Sequence, residues 1–237
     1  MDDLSFLTFD EYGAGNATLK AVLPEGWVCD ISDKVCPYQF LDNCPLLYHA
    51  FEHGFQGRLQ ANIEASSKAA VVSLLRYCYT GSYLPAYPEH APNLLLQHAE
   101  TYKIAQDFDV AELQLLAHGN FACQIDLACC LPTPPPDLLE TIRFVYQHFA
   151  SQQSRLGHGL VNTLCNYCIS IFLHHKLGEN AEFLKVVYEV PAFRQDLCRT
   201  NMERNFEDDC KYSLWLAESL ADPVQARSTS SDSLSTH

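Results

Sequence analysis

Along the middle of the chain the spacing of apolar residues switches between a helical period and a strand period. Asp42, Asn43 and Cys44 lead into Pro45, which suits a first helical turn because its missing N–H costs nothing there. Leu46, Leu47, Ala50 and Phe51 share one helical face, and Gly54 is the expected stop. Leu59, Ala61, Ile63 and Ala65 then alternate with Gln60, Asn62 and Glu64, the pattern of a strand with one wet face. Ser66 or Ser67 caps a second helix with the stripe Val71, Leu74, Leu75 and Cys78, closed by Gly81. A loop spaced by Pro85, Pro88 and Pro92 follows. Asn93 is placed to cap a third helix carrying Leu95, Ala99, Tyr102 and Ala105. A fourth helix carries Val110, Leu113, Ala117 and Phe121, and the two read as a helical hairpin.

The flanks are patterned differently. Residues 1–26 form a weakly patterned, variable segment in which Leu4, Phe6, Leu7 and Phe9 pair as a strand or dock as an apolar arm, with a loop at Gly13 and Gly15. Between Trp27 and Val35 there is room for a short strand only. The run from Leu131 to Pro136 holds four prolines, cannot be helical, and marks the best boundary. Asp137 and Glu140 read as a capping-box-like pair. Helices are expected at about Leu138–Phe149, Gly159–Leu177, Ala181–Val190 and Ala192–Glu203. No repeat of solenoid period is present. The pattern predicts an α+β fold, a small sheet flanked by helices, followed by an all-helical extension. The divisions are 27–125 for the mixed domain, 126–136 for the linker, 137–205 for the extension, 206–226 for a C-terminal segment and 227–237 for a Ser/Thr-rich disordered tail.

Composition narrows the function. Hydrophobic residues make up 48% of the 237 and charged residues only 19%, so much of the surface is neutral or apolar, the condition for a surface that takes a partner. The net charge is −14 and Lys and Arg do not cluster, which excludes nucleic acid as a direct partner and disfavours anionic membranes. The start Met1-Asp2-Asp3 is not that of a secretory signal, and no apolar run approaches the roughly 20 residues of a membrane helix. An intracellular location, cytoplasmic or nuclear, is expected, with the eleven cysteines as reduced thiols packed like small apolar side chains.

Catalytic chemistry is weakly signalled. Cys165 and Cys168 form a C-x-x-C within a helical pattern beside Leu164, Ile169 and Phe172, so both thiols face the core. His174 and His175 follow, but adjacent histidines face different sides of a helix. Cys129-Cys130 has Asp126 nearer in sequence than any cation to lower a thiol pKa. Gly13-Ala14-Gly15 lacks the third glycine, with Thr18 in its place, and there is no G-x-S-x-G and no H-E-x-x-H. No cofactor or metal is expected, and the chain reads as a binding protein rather than an enzyme. The competing reading is a thiol- or metal-dependent enzyme using the Cys-rich C-terminal half.

Several ordered segments resemble a BTB/POZ domain. They are Cys44-Pro45-Leu46-Leu47, Ala50-Phe51-Glu52-His53-Gly54-Phe55, Leu75-Arg76-Tyr77-Cys78-Tyr79-Thr80-Gly81-Ser82-Tyr83, and His98-Ala99-Glu100-Thr101-Tyr102-Lys103-Ile104-Ala105. The stretch Phe183–Phe193 resembles the closing motif of the helical C-terminal region in the BTB proteins of filamentous fungi. The resemblance covers about residues 27–200. It implies a protein-interaction module that self-associates or serves as an adaptor, with a cullin ubiquitin-ligase scaffold as one partner. The family's opening hairpin has its nearest equivalents in Cys29-Asp30-Ile31 and Val35-Cys36, too close together for a full hairpin, so the N-terminal hairpin is expected to be degenerate. The family's cullin loop, hydrophobic–any–acidic, falls on Phe55, Gln56 and Gly57. Gly57 supplies no carboxylate, and loss of one charge-assisted hydrogen bond costs about 1.5–3 kcal/mol. Partner contacts are therefore expected at Phe55, Gln56 and Gly57, and at Tyr83 and Tyr87 of the tyrosine cluster, because tyrosines give large contact area at low entropic cost.

Overall fold

The computed structural model describes residues 4–8, 15–54, 57–85, 95–151 and 159–204. The expectations placed on Phe9, Gly13, Phe55, Gln56, Tyr87, Pro88, Pro92 and Asn93 and on residues 206–237 lie outside these. Four strands form one sheet in the order β2-β1-β4-β3: β1 (Ala17–Val22), β2 (Val28–Val35), β3 (Glu52–His53) and β4 (Leu59–Glu64). β1 pairs antiparallel with β2 and parallel with β4, and β3 pairs antiparallel with β4.

The opening hairpin is complete, which corrects the expectation of a degenerate one. Its first strand lies before residue 27, in the stretch read as variable. Ala17, Leu19 and Ala21 alternate inward, but two of the three are alanines, and so small a payload hid the strand period. Close approach explains Gly15: a Cβ there would lie 2.2 Å from the Val35 backbone. The strand at Leu59 behaves as its pattern requires, with Ala61 and Ile63 buried and Gln60, Asn62 and Glu64 exposed. At the N-terminus Phe6 and Leu7 are buried in a 3-10 turn, Ser5–Thr8. The Phe6 ring packs edge-on to Tyr79 and under the Arg76 guanidinium, so the docked-arm alternative holds.

Eight helices follow among the described residues. α1 (Pro45–His49) is shorter than its apolar face suggested, because Phe51 leaves that face to stack on Phe40 and Glu52–His53 joins the sheet. α2 (Lys68–Thr80) starts at Ser67, whose Oγ accepts from Ala70 N–H. It ends at Gly81 in the left-handed conformation, φ 73°. Val71, Leu74, Leu75 and Cys78 are all buried, and residues 70–75 are enclosed on every side. α3 (Leu95–Asp107) and α4 (Ala111–Cys129) form the expected hairpin, with Leu95, Ala99, Tyr102, Leu113, Ala117 and Phe121 buried.

The extension is α5 (Leu138–Phe149), α6 (Leu160–Ser170), α7 (Ala181–Glu189) and α8 (Pro191–Glu203). α6 stops at Ser170 rather than Leu177. The chain turns through 171–176 to Lys176, at φ 51°, and Leu177 N–H returns to Phe172 O. The proline run is non-helical, as expected, yet the core does not divide there. One hydrophobic cluster runs from Leu19 and Leu74 through Phe121 to Ile142, Leu164 and Phe193. Asp137 does not cap its own helix. Its carboxylate instead accepts from Leu96 N–H at 2.9 Å, capping α3 across the prolines.

Candidate functional site

The exposed apolar surface between β2 and β3 in the chain is built from two short, proline-started turns. Pro37 opens a 3-10 turn, Pro37–Phe40, and Pro45 opens α1. Both are too short to bury residues on every side. Phe40 and Leu47 go inward, while Tyr38, Leu41 and Leu46 are 69%, 48% and 51% exposed. The base is rigid. Phe40 stacks on Phe51 at 5.9 Å and meets Tyr79 edge-on, and the Tyr79 hydroxyl accepts from Cys36 N–H at 2.7 Å. Tyr48 adds a half-buried ring 6.3 Å from Tyr38. The corner thus offers aromatic and aliphatic area on a fixed frame, the composition of a protein-binding anchor.

Beside it, the β3–β4 turn closes through Gly54 N–H to Arg58 O and Gly57 N–H to Gly54 O. Gly57 is exposed at φ 71° and presents backbone only. Of the expected contacts, Gly57 therefore lies at the surface, while Phe55, Gln56 and Tyr87 are outside the described residues. Tyr83 is a correction. It is 1% exposed, and its hydroxyl accepts from Asn120 Nδ2 at 2.9 Å and lies 2.7 Å from His98 Nδ1. With Asn120 donating, the phenol's one proton goes to Nδ1. Burial holds the His98 imidazole near pKa 4, hence neutral, and pushes the Tyr83 phenol to about 12. Tyr83 ties the end of α2 to α3 and α4, and has no surface to offer a partner. Tyr77 and Tyr79 also pack inward.

Cys44, Cys78, Cys165 and Cys168 are placed as core, whereas Cys123, Cys130 and Cys198 are exposed, which corrects the expectation that the thiols all pack as apolar side chains. Cys165 and Cys168 lie on the inner face of α6 and burial pushes both pKa values up, which keeps the thiols protonated. The Cys165 thiol donates to Thr200 Oγ1 at 3.6 Å. His175 does not complete a site with them, since its Nε2 lies 3.0 Å from the Leu131 carbonyl. Among the described residues no group of three His, Cys, Asp or Glu side chains is placed to hold a metal, and no helix is long and apolar enough to cross a membrane. A groove of about 430 Å³ opens between Leu23, Glu64, Ser66, Lys103, Asp107 and His148. Its ammonium is already held by Asp107, bidentate at 2.5 and 2.6 Å.

Sequence reasoning passed over Leu115, Leu116 and Leu127, which stand exposed on α4. The signal was present: in α4 polar and apolar residues do not separate into two faces, so leucines fall outside the buried stripe, and the helix contains no Lys or Arg. Compared with known proteins, the chain matches no family model, and no curated protein matches it.

Proposed function

We propose that the chain is a protein-binding module whose principal docking surface is the corner formed by residues 37–49 and the β3–β4 turn. The observation that carries this is the exposure of Tyr38, Leu41 and Leu46 together on a frame locked by Phe40, Phe51 and Tyr79. Rigid aromatic anchors bind with little entropy to lose. The α+β architecture, a small sheet flanked by helices with a helical extension, agrees with what the BTB/POZ-like segments imply and supports an adaptor or self-associating role.

The adaptor version names a cullin as the protein partner. Titrating the purified chain with a cullin N-terminal region should give saturable binding that Phe55→Ala and Leu46→Glu both abolish. The self-association version expects a dimer in sedimentation that Leu46→Glu splits and no cullin binding. Wild-type chain that neither dimerises nor binds the cullin removes both versions.

A further inference from the structure

α6 and α8 run side by side in the same direction, because Cys165 meets Thr200 and Ser170 meets Arg204. Arg204, where the described chain stops, therefore stands at the end of α6, its guanidinium donating to Ser170 Oγ at 3.0 Å. The turn that follows Ser170 is apolar and exposed. Phe172 and Leu173 are 36% and 68% exposed, and Leu184, next to the buried Phe183, is 38% exposed. The Phe172 ring is held 6.3 Å from the Phe183 ring, so this surface has a fixed frame. His175 Nε2, 3.0 Å from the Leu131 carbonyl, sets the same turn against the end of α4, where Leu127 is 60% exposed one helical turn earlier. Large apolar side chains from three elements thus stand exposed, among the described residues, at the point where the described chain ends.

The remaining sequence supplies an occupant. Residues 205–237 contain Phe206, Tyr212, Leu214, Trp215, Leu216 and Leu220. Tyr212, Trp215, Leu216 and Leu220 recur at i, i+3, i+4 and i+8, the spacing of one apolar helical face. Tyr212 is eight residues beyond Arg204, a tether with an r.m.s. reach of about 16 Å. A short flexible tether gives an effective concentration in the millimolar range. A separate protein at about micromolar concentration needs roughly a thousandfold higher affinity to take the same place. Charge does not oppose the contact. Lys176 and Lys185 balance Glu179 and Glu182 between Ser170 and Lys185, so a segment that starts Glu207-Asp208-Asp209 meets no net repulsion there.

We infer that residues 206–220 dock on the Leu127–Phe172–Leu173–Leu184 surface of their own chain, with Trp215 as the buried anchor. This end of the molecule is then closed by the chain's own C-terminal segment. It is a different surface from the proposed docking corner, and the inference does not rest on the proposed function.

Tryptophan fluorescence of the full chain is the test. The chain has two tryptophans, Trp27 and Trp215. Trp27 is 71% exposed between β1 and β2, so Trp27→Phe leaves Trp215 as the single reporter without opening the core. In that background Trp215 should emit at shorter wavelength than in the urea-unfolded chain and should be quenched several-fold less by acrylamide. Leu173→Glu should bring both readings to the unfolded values while the far-UV circular dichroism keeps its helical signal. Leu184→Glu should do the same through a second side chain. Leu115→Glu, at the other end of α4, should change neither reading. The shielding should be constant from about 1 to 100 μM protein, because a tethered contact does not dilute. A water-exposed Trp215 in the folded chain, shielding that survives both Leu173→Glu and Leu184→Glu, or shielding lost on dilution overturns the inference.

Discussion

α2 and α4 are built from similar residues and end in opposite situations. α2 lies between the sheet and α3, and from Ala70 to Leu75 no side chain reaches solvent appreciably. Among the described residues α4 is covered mainly by α3 and α6, on one side, and its other side leaves leucines exposed. Composition therefore does not say whether a helix is interior. What distinguishes the two is how many neighbouring elements the chain supplies. A helix that carries leucines on a side left uncovered by the described elements has apolar area in water.

The contrast breaks most easily in denaturant. Leu74→Ala or Leu75→Ala in α2 removes a side chain with no exposure and should cost about 2–5 kcal/mol in urea unfolding. Leu115→Ala in α4 should change stability by no more than about 0.5 kcal/mol. Equal costs would mean that α4 is as enclosed as α2.

The next effect is in α3, which touches both helices. His98 has its pKa lowered from 6.5 to about 4 by burial. A depressed histidine pKa means the neutral form stabilises the fold. That stability is present above pH 6.5 and is lost as pH falls from 6.5 toward 4, on the order of 3 kcal/mol in all. Glu100 has the opposite sign. Burial raises its pKa, so its contribution is present below the unfolded value and lost as pH rises through the folded one. The stability difference between wild type and His98→Gln, followed from pH 7 to pH 4, should therefore shrink with acid. A difference that is flat with pH would place the titration elsewhere.

Two smaller tests compare the helix ends and surfaces. Ser67→Ala removes the α2 cap and a partner of Glu100, and should cost about 1 kcal/mol. Gly119→Ala on the open face of α4 should stabilise the fold by about 0.5–1 kcal/mol, because alanine is the better helix former and meets no neighbour. A loss there would mean that the face is covered within the chain.

Sequence pattern carried most of the framework. α2, α5 and β4 were legible because their apolar spacing is regular and their ends carry Ser67, Gly81 or a proline run. β1 was not, because Ala17 and Ala21 give little hydrophobic contrast. α1 and α6 ended early because tertiary contacts outweigh local period: Phe51 stacks on Phe40, and the chain turns at Lys176. Of the candidate contacts, Gly57 lies at the surface and Tyr83 does not. A tyrosine beside a glycine stop reads the same in sequence whether its hydroxyl meets water or His98 and Asn120. The exposed leucines of α4 were hidden for a related reason: hydrophobic periodicity shows what is apolar, and cannot show which apolar side finds cover.

Asp137 accepts from the N–H of Leu96, a residue forty-one positions upstream and on the other side of the proline run. The most visible seam in the chain is thus stitched from below. A protease that nicks residues 131–136 should leave two fragments that migrate together until denaturant is added, a seam that can be cut without being parted.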